Sequence, residues 1–172
     1  FFLPEKTVDN NLENESYEYW NGGIPGTLEY GYQKDDVSAI SNSNKWFLEG
    51  DEFRYRQYSN LERFADFPSF SGKSLLDIGP GRGQESHNYA KHGANVTVLE
   101  YVEQGVRIAE TRRDIFKFDF PIIQGTATDL PFQDNTFDAV FSYGVLHHIP
   151  DMKKALTEVE RVLKEGGIAK IM

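Results

Sequence analysis

Leu75-Leu76-Asp77-Ile78-Gly79-Pro80-Gly81-Arg82-Gly83 decides the fold of this chain: an apolar run suited to a buried strand leads into three alternating glycines, and a helical pattern begins near Gln84. Glycine lacks a Cβ, so such a turn takes positive φ and brings bare main-chain N–H groups against a ligand. The following helix adds unpaired N–H donors and the positive end of its dipole to the same corner. An anionic or strongly hydrogen-bonding ligand is expected there. The glycines alone leave two readings open, because dinucleotide-binding folds place G-x-G-x-x-G at the same corner. Here Gln84 takes the last position of that pattern, which counts against a pyrophosphate binder.

Downstream of this turn, strand and helix patterns alternate. Residues 74–78, 95–100, 121–124 and 137–142 read as four strands, with helices over 84–92 and 102–116; Gly93 suits the C-terminal cap of the first helix. Residues 151–163 form the best-patterned helix, with Met152, Ala155, Leu156, Val159 and Val162 on one face, Asp151 as its N-cap and Gly166-Gly167 closing it. Strand five opens at Ile168. Strands separated by helices imply right-handed crossovers, so the expected class is α/β: a doubly wound, mainly parallel, Rossmann-like sheet with helices on both faces. Ligands of such sheets lie beyond the carboxyl ends of the strands, where the winding reverses.

Two regions are expected. Residues 1–44 are rich in Asn, Glu, Gly and Tyr, lack a sustained period and read as an irregular arm. Its aromatics, Tyr17, Tyr19, Trp20, Tyr30 and Tyr32, are too many for a disordered tail, so part of it is expected to pack onto the domain as a lid. Residues 45–172 hold the ligand-binding domain. It opens with a single amphipathic helix from Trp46 to about Phe67, on which Tyr58, Leu61, Phe64 and Ala65 recur at helical spacing.

Composition narrows the partners. The formal charge of −9 over 172 residues opposes a nucleic-acid partner, whose phosphates demand a basic footprint, and no apolar run has membrane-spanning length. The start, Phe1-Phe2-Leu3-Pro4, carries no basic region before a hydrophobic stretch and does not read as a secretory signal. A cytoplasmic protein acting on a small molecule is the expectation. The absence of cysteine removes disulfides, thiolate nucleophiles and cysteine metal sites together. Arg54 with Arg56, and Arg112 with Arg113, read as solvated helix faces.

The distinctive polar residues fall just past strand ends. Glu100 ends strand two about twenty residues beyond Gly79, where an acid accepts both hydroxyls of a ribose. Asp129, after strand three, is placed to accept from an exocyclic amine such as adenine N6. Asp77 sits within strand one, where an unpaired carboxylate is costly, so it is expected to accept from loop N–H groups or a ligand ammonium. After strand four comes Ser142-Tyr143-Gly144-Val145-Leu146-His147-His148. Adjacent histidines rarely converge on one ion, and no H-x-x-x-H partner supports a metal, so none is expected.

Taken together, Leu75–Gly83, Glu100, the run from Asp129 to Asp138, the Leu146-His147-His148 loop and Arg161-Val162-Leu163-Lys164-Glu165-Gly166-Gly167 resemble the successive motifs of class I S-adenosylmethionine-dependent methyltransferases, in their broad bacterial small-molecule branch. The resemblance covers residues 70 to 172. It implies S-adenosylmethionine as cofactor, with Gly79, Pro80 and Gly81 along its methionine part, Asp77 near the amino group, Glu100 on the ribose and Tyr101 beside the adenine. Asp129 and Leu130 would read the adenine edge, and Ser142 and Tyr143 would border the sulfonium. It implies in-line methyl transfer to a small-molecule acceptor, with His148, His147 and Tyr143 as candidate bases where the acceptor must lose a proton. The competing readings are a nicotinamide-dependent oxidoreductase and a cofactor-binding protein without turnover. Glu165 replaces the proline common in the family's Leu-Lys-Pro-Gly-Gly. The family's last helix and antiparallel strand pair have no counterpart, so the domain is expected to be C-terminally truncated, leaving strand five an edge able to pair with a second copy.

Overall fold

The apolar run 74–78 forms the central strand of a five-stranded sheet. The computed structural model describes residues 10–21 and 44–172. Its elements in chain order are α1 (Asn10–Asn21), α2 (Asn44–Gln57), α3 (Leu61–Ala65), a 3₁₀ turn (Phe67–Phe70), β1 (Ser74–Ile78), α4 (Gln84–Lys91), β2 (Asn95–Glu100), α5 (Glu103–Phe116), β3 (Ile122–Gln124), β4 (Phe137–Ser142), α6 (Met152–Val162) and β5 (Leu163–Ile171). The strand order is β3-β2-β1-β4-β5, and every neighbouring pair is parallel. The doubly wound α/β expectation holds. No described helix is long and apolar enough to cross a membrane.

Alternation along the strands builds two hydrophobic layers. Leu75, Val96, Val98, Ala139 and Phe141 pack with Leu61, Phe67, Phe70 and Tyr89 on one side. Leu76, Ile78, Leu99 and Val140 pack with Ala155, Val159 and Val162 of α6 on the other. At the amino ends of the strands, Ser74, Asp138 and Lys164 form a polar lock: Asp138 Oδ2 accepts from the Ser74 N–H at 2.8 Å, and Asp138 Oδ1 accepts from Lys164 Nζ at 2.9 Å. That leaves the opposite, carboxyl rim for a ligand.

Three local expectations are corrected. Residues 10–21 of the arm are helical, not irregular; packing decides it, since the Tyr17 ring meets Tyr101 at 5.3 Å and the Trp20 ring meets His148 at 4.9 Å. Tyr30, Tyr32 and the rest of 1–43 lie outside the described residues. The single helix over 46–67 is broken: α2 ends at Gln57, α3 is short, and Asp66 takes a left-handed φ of 52° before the 3₁₀ turn. On a straight helix Phe67 and Phe70 would face away from Leu61 and Ala65, whereas the break lets all four bury in one cluster. Finally, Gly166-Gly167 does not close α6. The chain turns extended at Leu163, and five residue steps from Leu163 to Ile168 match the two from Phe137 to Ala139, so the glycines lie in a bulge of β5.

The third hydrophobic cluster, Trp46, Phe47 and Ile108, seats α2 against α5. Beside it, Arg112 of α5 is 1% exposed and grips Asp51 of α2 with Nη1 to Oδ1 at 2.9 Å and Nη2 to Oδ2 at 2.6 Å, while Nη1 also reaches the Arg82 carbonyl at 3.4 Å. The sequence placed Arg112 on a solvated face; the fork geometry of a bidentate carboxylate pair explains its burial. Removing the carboxylate strands the buried Arg112 guanidinium, so Asp51→Ala is expected to cost about 3–5 kcal/mol in urea denaturation.

Candidate functional site

β1 lies between β2 and β4, so the chain winds one way from β1 to β3 and the other way from β4 to β5. A crevice lies at this reversal, beside the loops leaving β1 and β4. Gly79 enters it at φ 70°, and its N–H donates to the Leu99 carbonyl at 2.9 Å. A Cβ at this position would stand 2.5 Å from Val145 Cγ2, so only glycine lets the two loops approach. Gly83 N–H to Pro80 carbonyl, 2.8 Å, tightens the turn.

The crevice is a cavity of about 340 Å³, within the usual small-ligand range of about 300–1,000 Å³. One end is walled by Gly79, Pro80, Gly81, Leu99, Glu100, Tyr101, Val102 and the stretch Gly125-Thr126-Ala127. The other is aromatic and apolar, with Trp20, Phe53, Tyr58, Tyr143, Ile149 and Pro150, together with Arg54 and His148.

Glu100 is the best-defined polar group at the first end. It is 8% exposed, and its Oε1 accepts from the N–H groups of Tyr101 at 2.8 Å and Val102 at 3.1 Å. Its Oε2 takes no hydrogen bond among the described residues. Burial raises its affinity for a proton, and the two N–H donors pull the other way. Gly105 makes room for the side chain: a Cβ there would be 2.5 Å from Glu100 Cδ.

Of the expected site residues, Gly79, Pro80, Gly81, Glu100, Tyr101, Tyr143 and His148 line the cavity, and five do not. Asp77 is buried behind the glycine turn, where its Oδ2 accepts from Ser86 Oγ of α4 rather than from loop N–H groups. Ser142 Oγ turns back to the Ile78 carbonyl at 3.1 Å. Asp129 is exposed beside buried Leu130, whose N–H donates to Glu158 Oε2 at 2.7 Å and whose carbonyl accepts from Arg161, so this loop is held to α6 and away from the cavity wall. His147 is exposed, 4.0 Å from the His148 ring. Burial, and to a lesser degree His147, lowers the pKa of His148, while burial raises that of Tyr143. Asp151 caps α6, accepting from the Lys154 N–H at 3.0 Å.

The sequence reading missed Phe53, Arg54, Tyr58 and Arg82 on the cavity wall. A signal existed: Trp46, Phe47, Gly50 and Arg54 recur at helical spacing, and the first three are buried, so Arg54 belongs to the inward face of α2.

Residues 76–171 match a protein family described as methyltransferase domain. The chain belongs to this family. Among curated relatives, the fatty-acid O-methyltransferase of Mycolicibacterium smegmatis is 34% identical over 142 residues, covering 81% of this chain and 49% of that protein. The demethylmenaquinone methyltransferase of Thermobifida fusca is 37% identical over 142 residues, covering 77% and 58%. The chain thus spans about half the length of these relatives. Among solved structures, the [4+2]-cyclase SpnF superposes with TM-score 0.59 at 29% identity, covering 64% of this chain and 44% of that one. The YcgJ protein of Bacillus subtilis gives TM-score 0.58 at 28% identity, covering 62% and 47%.

Within this methyltransferase domain, Asp77 offers a titration test. Burial pushes its carboxyl from the usual 3.8 to about 7, with the Ser86 hydroxyl opposing. Between those values the folded chain holds a proton that the unfolded chain has released, so Asp77 costs stability as pH rises from 4 to 7. Asp77→Asn is expected to flatten the pH dependence of unfolding by up to about 1.4 kcal/mol per pH unit across that window. Urea titrations at stepped pH check this; an unchanged slope would remove the proton from Asp77.

Proposed function

We propose that this chain binds S-adenosylmethionine in the cavity and directs its methyl group to a small-molecule acceptor. The observation that carries the reading is Glu100, a carboxylate held at the tip of β2 by two backbone N–H groups, with Oε2 unengaged on the wall of a cavity whose floor is bare backbone. Such an oxygen suits the paired hydroxyls of a ribose. When bound, the cofactor supplies an activated methyl group on a cationic sulfur.

The chain's own part is to bind, orient and exclude water. Gly79, Pro80 and Gly81 receive the methionine part, Glu100 the ribose, and Tyr101 with Val102, Leu99 and Ala127 the adenine. Asp77 acts from behind, fixing the turn through Ser86. In-line transfer needs collinear approach in a dry cavity, and orientation alone supplies several kcal/mol, about 7 or more in well-aligned systems. Trp20, Phe53, Tyr58, Ile149 and Pro150 line the acceptor end, which suits an acceptor with an apolar body, in keeping with the fatty-acid and menaquinone names of the relatives. α1 acts as the lid, bridging Tyr101 on one rim and His148 on the other. His148, whose hold on a proton is weakened by desolvation and by His147, is the base where the acceptor must lose a proton. The reading is of a cytoplasmic enzyme.

The second reading, cofactor binding without turnover, is the outcome the test separates from this one. Calorimetry with S-adenosylhomocysteine decides the first step. Glu100→Ala is expected to weaken binding by about 100-fold or more, since two hydrogen bonds to a charged acceptor are worth about 3 kcal/mol at the least. Equal affinities would take Glu100 out of the site, and tight binding with no methyl transfer to any of a panel of apolar acids and phenols would favour the second reading.

A further inference from the structure

Arg54 is the charged group on the cavity wall that the proposed reaction leaves without a task. It sits in the last turn of α2 and is fixed from several sides. Its Nε donates to Glu85 Oε1 at 2.6 Å, its guanidinium carbon stands 4.8 Å from the Tyr143 ring centre, and Tyr58 flanks it at 5.9 Å. Engagement through Nε leaves the two terminal nitrogens, and among the described residues these take no hydrogen bond. The other arginine on the wall is disposed differently: the Arg82 guanidinium lies 3.9 Å over the Trp46 ring, pressed against Gly50 and 5% exposed.

We propose that Arg54 is the carboxylate-binding residue of the cavity, its terminal N–H fork receiving the carboxylate of a bound small molecule. The planar fork matches a carboxylate's two oxygens, and Glu85 on Nε together with the Tyr143 ring hold its plane before any ligand arrives. Glu85 is itself nearly buried, with a 3% exposed side chain, so its ion pair with Arg54 is kept from water and the guanidinium cannot swing out without stranding that carboxylate. Aromatic rings on either side lower the local dielectric, which strengthens a charged hydrogen bond made between them. Lysine in this position would keep the charge and lose the fork.

The inference rests on the proposed function, which makes the cavity the ligand site. Two carboxylates then qualify, that of the cofactor's amino-acid end and that of an acidic acceptor, and a guanidinium treats them alike. Calorimetry on the full chain separates them. Arg54→Met is paired with Glu85→Gln so that no buried charge is left alone, and Glu85→Gln alone is the control. The probes are S-adenosylhomocysteine, its carboxylate-free relative 5′-methylthioadenosine, and, on protein saturated with S-adenosylhomocysteine, decanoate and decan-1-ol.

The double variant is expected to lose about 10- to 100-fold in affinity for one carboxylate probe, while 5′-methylthioadenosine and decan-1-ol stay within about two-fold. Loss for S-adenosylhomocysteine puts the cofactor's carboxylate on Arg54; loss for decanoate alone puts an acceptor's there. Unchanged affinity for both carboxylate probes overturns the proposal, as does a parallel loss for 5′-methylthioadenosine, which would mark Arg54 as part of the scaffold. Wild-type protein that binds neither nucleoside overturns the proposed function itself, and this inference with it.

Discussion

The site depends on a steric constraint at the reversal of the winding: the loops that leave β1 and β4 pass each other in contact, and they can do so because Gly79 has no side chain. Val145 fills the space a Cβ would need. The φ of 70° carries the chain from β1 into the turn, and the Gly79 N–H, donating to the Leu99 carbonyl, pins that turn to β2 one residue before Glu100. One missing methyl thus sets the distance between the main-chain floor of the cavity and its acid wall. A bulkier residue would either push the β4 loop outward or pull the turn off β2. Both movements separate the glycine turn from Glu100 across the cavity.

The second constraint is electrostatic. This chain carries a net charge of −9, yet it gathers three arginines around the glycine turn, each engaged with a different face of α2 and its surroundings. Arg112 holds Asp51 and touches the Arg82 carbonyl, Arg82 stacks over Trp46, and Arg54 holds Glu85. Buried ion pairs return little net stability, because desolvation offsets most of the Coulombic gain. What they supply here is register. α2 has few apolar residues of its own, with Trp46, Phe47 and Gly50 as its buried positions, and a helix seated on so small an apolar patch is free to slide unless directional bonds fix it. The arginine contacts do this, and they fix α2 to the turn that forms the cavity floor.

The sheet was legible because β-strands buried on both faces read as continuous apolar runs bounded by glycine and polar turns. β1, β2 and β4 have the bounds that such runs suggest, and the parallel pairing follows from the crossover segments between strands. The failures have a common cause. The break after α2, the helical state of 10–21 and the bulge at Gly166-Gly167 all depend on partners distant in sequence: Tyr89 for Phe67 and Phe70, Tyr101 and His148 for α1, and β4 for the bulge. Local periodicity carries no record of such partners. The site divides the same way. Residues next to strand ends, Gly79 and Glu100 above all, were placed by the chain's own regularity, whereas Arg54 reaches the cavity from a helix that precedes the sheet.

That division bears on how one scaffold serves several chemistries. The end of the cavity beside the glycine turn is built mainly from backbone and strand tips, which the sheet fixes as soon as it folds. The opposite end is built from side chains on α1, on α2 and on the loop carrying His148, elements joined to the sheet by ring contacts and a few ion pairs. Substitutions there change the shape and charge presented to a second molecule without disturbing the first binding surface. Proteins of one fold can therefore keep the glycine turn and differ at the opposite end. In this chain that end combines an aromatic wall with one guanidinium fork, both carried by elements outside the sheet.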